Sequence, residues 1–91
     1  MSYKIVVHSK AQKELHKLPT FSKNHAEKAI DDLAENPYPT GYKKLTGFKN
    51  DRTKIKECYR IRVGDFRVIY TIEQDIITIT IVQVKKRGDI Y

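Results

Sequence analysis

Residues 59–70, with the sequence YRIRVGDFRVIY, constrain the fold of this chain more than any other segment. Apolar residues alternate with other side chains on both sides of a central Gly-Asp dipeptide, which is typical of a two-residue β-hairpin turn. The register that follows from this turn places Arg62 directly opposite Arg67, with Arg60 on the same face. The remaining predicted pairs are Val63 with Phe66, Ile61 with Val68, and Tyr59 with Tyr70. One face of the hairpin is therefore apolar, and the other carries three like charges.

Two amphipathic helices are predicted in the first half of the chain. Ser9 is the predicted N-cap of the first helix, with Gln12 completing a capping box, and Pro19 stops that helix. Ser22 is the predicted N-cap of the second helix, which ends near Asn36. The apolar residues that recur at helical spacing are Ala11, Leu15, Leu18, Ala26, Ile30, Leu33 and Ala34. Two adjacent antiparallel helices of this kind form a helical hairpin with one apolar side.

One strand, at residues 4–8, precedes the helices, and three more follow them. The three later strands are predicted at residues 55–63, 66–73 and 76–85. The last connection is a two-residue Gln-Asp loop, a poor turn by composition, which predicts Tyr70 opposite Ile79. The order β-α-α-β-β-β predicts an α+β fold, with an antiparallel sheet and the helical hairpin packed on one face, in a single domain over residues 1–91. The face that carries the arginines is predicted to be uncovered.

The charge of the chain is unevenly distributed. It has 18 basic and 11 acidic residues, and residues 41–91 hold 12 of the basic and 6 of the acidic ones. Such an excess predicts a polyanionic partner, nucleic acid first, although it also serves solubility. No apolar run approaches the roughly 18 residues that span a bilayer, and the first residues do not resemble a secretion signal. We therefore expect a cytoplasmic protein without a membrane partner, and the single cysteine, Cys58, fits a reducing compartment.

The residues do not predict a metal or cofactor site. The three histidines, His8, His16 and His25, lack carboxylate or cysteine partners at ligand spacing, and a surface or capping role is expected for each. Arginine presents a planar fork of donors that binds phosphate and stays protonated at physiological pH, so an arginine array suits phosphodiester chemistry. The opposing interpretation is structural: Glu57 or Asp65 neutralises the cluster, although neither is well aimed at it.

The C-terminal segment, VQVKKRGDIY, supplies candidates for proton transfer. If it curls over the arginine face, Arg87 and Tyr91 join the three arginines of the hairpin. A neighbouring arginine lowers the pKa of a tyrosine by favouring the phenolate. Tyr91 is therefore a candidate base toward an RNA 2′-hydroxyl, which then attacks the adjacent phosphate. DNA lacks this hydroxyl, so the predicted chemistry is specific to RNA.

The segments KKLTG, YRIRVGDFRVIY and VQVKKRGDIY resemble the RelE branch of the RelE/ParE toxin superfamily, over nearly the whole chain. The resemblance implies a ribosome-dependent endoribonuclease that cuts mRNA in the ribosomal A site without a metal or cofactor, and that a cognate antitoxin neutralises. The residues that it implies are catalytic are Arg60, Arg62, Arg67, Arg87 and Tyr91. The best-known member has lysines where this chain has Arg60 and Arg62. The role of general base therefore falls on Tyr91, with Lys85 and Lys86 as alternatives.

Six lysines in the basic half of the chain are predicted to bind RNA or the ribosome: Lys43, Lys44, Lys54, Lys56, Lys85 and Lys86. Two other functions stay open at this point. A ParE-type toxin shares the scaffold but acts on DNA gyrase, and it generally lacks the arginine and tyrosine array. A plain nucleic-acid-binding module explains the charge without chemistry, and predicts salt-sensitive binding with no strand scission.

Overall fold

The computed structural model describes residues 2–86, and within them five strands and two helices form. In chain order these elements are β1 (Lys4–Val7), α1 (Ser9–His16), α2 (Thr20–Leu33), β2 (Lys43–Lys44), β3 (Tyr59–Val63), β4 (Phe66–Glu73) and β5 (Thr78–Lys86). The strands make one sheet in the order β1-β5-β4-β3-β2. Two of the predicted site residues, Arg87 and Tyr91, lie outside the described residues.

The direction of the first strand differs from the prediction. β1 runs parallel to β5, whereas the other neighbouring strands are antiparallel, so the sheet is mixed and not purely antiparallel. The three antiparallel steps from β2 to β5 leave β5 running opposite to β2, and β1 likewise runs opposite to β2, so the first and last strands are parallel. β2 is an addition to the predicted order, because a strand of two residues gives no periodic signal in the sequence.

Both helices have N-cap residues other than the predicted ones. α1 is capped by His8, whose Nδ1 accepts a hydrogen bond of 3.1 Å from the backbone N–H two residues later. Ser9 is therefore the first helical residue and not the cap, and His8 has the expected capping role. α2 begins at Thr20, so Ser22 lies inside its first turn. Pro19 takes the cap position because its ring holds φ at −55° while ψ stays extended at 149°.

The helical hairpin covers the predicted apolar face of the sheet. The buried residues of this main core are Ala11, Leu15, Ala26, Ile30, Leu33, Ile61, Val68, Tyr70, Ile79, Ile81 and Val84. Tyr70, at the centre of β4, has no solvent exposure, and its hydroxyl donates a 2.7 Å hydrogen bond to the carbonyl of Pro37 in the turn after α2. This bond joins the middle of the sheet to the end of the second helix.

The β3–β4 register is confirmed, and the β4–β5 register is wrong by two residues. Tyr70 pairs with Ile81, because β4 and β5 are connected by four residues, 74–77, and not by a two-residue turn. A shift of two residues preserves the alternation of side chains, so Ile79 still faces the helices. A bulge at Val82 then reverses the alternation, so Val84 faces the helices while Val82 faces the other way.

The face of the sheet opposite the helices, which we call the second face, is partly covered. Residues 45–58, here called the cover loop, cross it between β2 and β3, and Leu45 and Phe48 pack on a small core of buried residues. That small core consists of Cys58, Ile69 and Val82. The prediction of an uncovered face is therefore wrong over this part, and the strand predicted from residue 55 begins only at Tyr59.

Replacement of Tyr70 by phenylalanine tests the bond between the sheet and the end of α2. We expect Tyr70→Phe to lower the free energy of unfolding by about 1–2 kcal/mol, because the buried carbonyl of Pro37 loses its donor. Urea denaturation at neutral pH measures the change. Tyr42→Phe, at a ring that is 38% exposed, is the matched control, for which we expect less than about 0.5 kcal/mol. Equal losses in the two variants would contradict the assignment.

Candidate nucleic-acid interface

Three cations lie side by side across the second face. Arg62 pairs with Arg67 across β3 and β4, and Arg67 pairs with Lys85 across β4 and β5. We call these three residues the cationic row. Paired residues of neighbouring strands lie about 5 Å apart. The row therefore presents positive charge at intervals that a phosphodiester backbone can follow. The predicted convergence of Arg62 and Arg67 is confirmed, and the bulge in β5 brings Lys85 to the same line.

Burial of two arginines is the feature that the sequence did not reveal. Arg60 and Arg67 are only 4% and 9% exposed, whereas Arg62 is exposed. The Nη1 of Arg60 donates a 3.3 Å hydrogen bond to the carbonyl of Gly41. A buried guanidinium loses hydration and conformational freedom, so its position is set before any ligand arrives. Such fixed donors stabilise an anion without reorganising during a reaction.

A cavity of about 450 Å³ opens beside β3, next to the buried end of Arg60. It forms at the start of β2, because residues 39–42, which precede this strand, do not continue its pairing with β3 beyond Arg60. Its lining carries the cations Lys43, Arg60 and Arg62 and a single carboxylate, Asp32. The cavity thus continues the positive second face around the edge of the sheet.

A partly buried carboxylate contacts the opposite end of the cationic row. Glu14 on α1 forms two hydrogen bonds with Arg52, of 2.8 and 2.9 Å, and an ion pair of 3.3 Å with Lys85. It also accepts a 3.0 Å hydrogen bond from the backbone N–H of Val84, while Arg52 donates to the carbonyl of Val82 over 2.8 Å. We call this arrangement the Glu14 junction. It connects α1, the cover loop and the bulge in β5.

The prediction missed Glu14 and Arg52, although the sequence contains a signal for the first. Glu14 lies three residues after Ala11 and four before Leu18, so it shares the inward stripe of the helix. An acidic residue within an apolar stripe indicates a buried partner. Arg52 gives no such signal, because the cover loop has no periodic pattern.

The electrostatics of the junction favour ionised Glu14. Burial opposes its ionisation, but hydrogen bonds from Arg52, Val84 and Lys85 outweigh this, so the pKa of Glu14 lies below its ordinary value of 4.5. The hydrogen bonds with Glu14 likewise raise the pKa of Arg52, against the opposing effect of burial. The junction therefore contains two cations and one anion at neutral pH.

Two tyrosines and a cysteine at the sheet have raised pKa values. Burial raises the pKa of the Tyr70 and Tyr59 hydroxyls, and it raises that of the Cys58 thiol. None of these three groups suits proton abstraction or nucleophilic attack at neutral pH. Within residues 2–86, no cluster of three or more His, Cys, Asp or Glu residues is arranged to hold a metal ion. Neither helix in that range is long and apolar enough to cross a membrane.

The predicted lysines occupy different places around this face. Lys43 and Lys44 form the edge strand β2, and Lys44 pairs with Glu57 over 3.3 Å. Glu57 therefore neutralises a lysine at the sheet edge. Lys54 and Lys56 are exposed in the cover loop, and Lys86 is exposed at the end of β5.

The comparison of this chain with known families identifies its class. The family described as ParE toxin of the type II toxin-antitoxin system parDE matches residues 5–91, so the chain belongs to this family. The protein is a toxin of a toxin–antitoxin system, with the RelE-like α+β fold of the RelE/ParE superfamily.

Individual relatives agree with this assignment. Toxin RelG of Mycobacterium tuberculosis is 30% identical over 92 residues, which cover 100% of this chain and 98% of RelG. The structure of an archaeal RelE-RelB complex from Pyrococcus horikoshii OT3 matches with a TM-score of 0.79 and 32% identity, over 98% of this chain and 99% of that chain. The toxin-antitoxin complex RelBE2 from Mycobacterium tuberculosis matches with a TM-score of 0.73 and 27% identity, over 96% and 100% of the two chains.

The lowered pKa of Glu14 predicts how stability depends on pH. Its ionised form stabilises the fold fully above the ordinary pKa of about 4.5, and this contribution is lost as the pH falls through the lower pKa of the folded protein. We expect the difference in unfolding free energy between the wild type and Glu14→Gln to be constant from neutral pH to about pH 5 and to shrink below it. Urea denaturation across this range measures it.

Glu57→Gln is the matched control for this titration. Its ion pair with Lys44 is exposed, with 66% of the Glu57 side chain accessible, so its contribution is about 0–1 kcal/mol and its pH dependence is small. A Glu14→Gln difference that stays constant down to about pH 3 would contradict the assignment of a stabilising ionised Glu14.

Proposed function

We propose that this toxin is a ribosome-dependent endoribonuclease that cleaves mRNA in the ribosomal A site. The observation that supports this most is the cationic row, Arg62, Arg67 and Lys85, next to the buried Arg60. Three aligned cations on one sheet face repel one another, since like charges directly opposed across strands destabilise a sheet. A bound phosphodiester backbone would relieve this repulsion.

The proposed reaction uses the RNA itself as the nucleophile. The 2′-hydroxyl oxygen loses its proton and forms a bond to the adjacent phosphorus, while the bond from phosphorus to the 5′-oxygen of the next nucleotide breaks. The products are a 2′,3′-cyclic phosphate and a 5′-hydroxyl, which receives a proton. Negative charge accumulates on the phosphoryl oxygens in the transition state, and the arginines stabilise it.

Proton abstraction is assigned to the C-terminal segment. Arg60 and Arg62 stay protonated and cannot act as bases, where the best-known relative has lysines. The raised pKa values of Tyr59 and Tyr70 make these tyrosines poor bases as well. We assign the role to Tyr91, whose phenolate a nearby arginine such as Arg87 would favour.

The proposed partners follow from the charge and from the relatives. Lys43, Lys44, Lys54, Lys56 and Lys86 are exposed at the edge strand β2, in the cover loop and at the end of β5, where they would bind mRNA and ribosomal RNA. The two solved structures named above are complexes of a toxin with its antitoxin. We expect a cognate antitoxin for this chain too, with an acidic segment that neutralises the cationic row.

Loss of Arg62 tests the role of the cationic row. Arg62 is exposed, so Arg62→Ala should leave the fold intact while lowering mRNA cleavage by about 100-fold or more, as expected for a donor that stabilises transition-state charge. Primer extension on a reporter mRNA after brief induction measures new 5′ ends. Lys28→Ala, at an exposed lysine of α2 that pairs with Asp32, is the matched control and should cleave like the wild type.

The same measurement separates the competing functions. New 5′ ends that require translation of the reporter would support ribosome-dependent cleavage, and unchanged cleavage by Arg62→Ala would contradict the role of the row. The matching family carries the name of ParE, so gyrase inhibition is the alternative to be tested. Growth arrest without new ends, together with loss of DNA supercoiling by purified gyrase, would establish that alternative. Binding without either effect would leave a nucleic-acid-binding module.

Replacement of Tyr91 tests the assignment of the general base. Tyr91→Phe removes only the hydroxyl, and we expect the single-turnover cleavage rate to fall by about 100-fold to 10,000-fold, as is typical for loss of a general base. Ribosome binding, measured by co-sedimentation, should be retained because the arginines and lysines are unchanged. A wild-type rate for this variant would move the role to Lys85 or Lys86.

A further inference from the structure

We infer that Glu14 is a positioning residue that aligns Lys85 with the arginines of the cationic row. The inference rests on the proposed function and deepens it, since it adds an acidic residue on a helix to a site otherwise composed of cations. Glu14 itself does not contact the substrate in this proposal. It acts through the last strand and through the side chain of Lys85.

The first step of the argument concerns the edge of β5. β1 pairs with β5 as far as Ile81, and the backbone N–H of His8 donates to the Ile81 carbonyl over 2.9 Å. Beyond that point the chain turns into α1, so β5 continues without β1 beside it. Glu14 and Arg52 take the place of the strand: the carboxylate accepts from the N–H of Val84, and the guanidinium donates to the carbonyl of Val82.

The second step concerns the bulge. The two backbone groups that the Glu14–Arg52 pair binds are the carbonyl of Val82, the bulge residue, and the N–H of Val84, two residues beyond it. A bulge changes which face the following residues occupy, so it decides the direction of Lys85. With the bulge, Lys85 pairs with Arg67 and lies in the row. By fixing the bulge, Glu14 fixes the side of the sheet on which Lys85 lies.

The third step concerns the side chain of Lys85. Its Nζ lies 3.3 Å from Oε2 of Glu14, and the Lys85 side chain is 36% exposed while that of Glu14 is 16% exposed. The carboxylate thus restrains an otherwise flexible ammonium at the end of the row and offsets its repulsion with Arg67. An ammonium retains donors beyond the one directed at Glu14, so the restrained Lys85 can still contact a phosphate.

A double-mutant cycle on the cleavage rate tests this inference. Glu14→Gln keeps an acceptor for the N–H of Val84 but removes the charge that restrains Lys85. We expect Glu14→Gln and Lys85→Gln each to lower the single-turnover rate on saturating translating ribosomes by about 10-fold to 100-fold, the scale of a misplaced catalytic contact. The double variant should be no slower than Lys85→Gln alone, because Glu14 then has nothing to position.

Two further cycles separate positioning from a general effect on the fold. Lys86 is exposed on the same strand and pairs with Phe66 of β4, whereas the ion pairs of Glu14 are with Arg52 and Lys85. The losses from Glu14→Gln and Lys86→Gln should therefore multiply. In urea denaturation, the losses of unfolding free energy from Glu14→Gln and Arg52→Gln should be non-additive, since Arg52 carries the structural part of the junction. The rates are measured at a temperature at which all variants are folded by circular dichroism.

The possible outcomes distinguish the inference from the proposed function. Cleavage by the wild type, with losses that multiply for Glu14→Gln and Lys85→Gln, would overturn the positioning role and leave the proposed function standing. No cleavage by the wild type on translating ribosomes would overturn both. If Glu14→Gln does not fold, the cycle is repeated with Glu14→Asp, which keeps the charge but shortens the side chain. The same non-additivity with Lys85→Gln is then expected, and multiplying losses would again overturn the inference.

Discussion

One carboxylate on the first helix holds the second face of the sheet in its observed form. A buried charge costs several kcal/mol unless it is paired and hydrogen-bonded. Glu14 meets this condition only when the cover loop brings Arg52 across the sheet and β5 bulges to present the N–H of Val84. Three segments that are distant in the sequence must therefore assemble together. The packing of Leu45 and Phe48 on the second face depends on the same loop.

The helix face of the sheet provides most of the stability, and the second face carries the residues of the proposed function. The helix face contains the main core, whose buried side chains are apolar apart from the hydroxyl of Tyr70, which donates to the carbonyl of Pro37. The second face has only a small core, beside which lie polar residues such as Thr71 and the cationic row. Like charges reduce stability wherever they lie. The main core on the other side of the sheet lets the fold tolerate this loss at the place where a polyanion would bind.

The sequence predicted best those features that local patterns determine. The β3–β4 register, and with it the Arg62–Arg67 pair, followed from a Gly-Asp turn between alternating residues. The β4–β5 register failed because Gln-Asp does not specify a two-residue turn and because a bulge reflects contacts with α1 that no local pattern contains. Arg60 donates to Gly41 in the segment before β2, and Arg52 lies in the cover loop, and neither segment has a periodic pattern from which these contacts could be predicted. Arg87 and Tyr91 stay predictions, since they lie outside the described residues.

The shortness of the outer strands also bears on how the protein behaves at high concentration. An edge strand presents backbone groups that can pair with another chain, and long, flat, apolar edges promote aggregation. Here β2 spans two residues, both lysines, and β1 spans four residues beginning with Lys4. Because both edge strands are short and carry lysines, they disfavour edge-to-edge pairing with sheets of other molecules. A chain with so cationic a surface can therefore stay dispersed in the crowded cell until an acidic partner or a polyanion meets it.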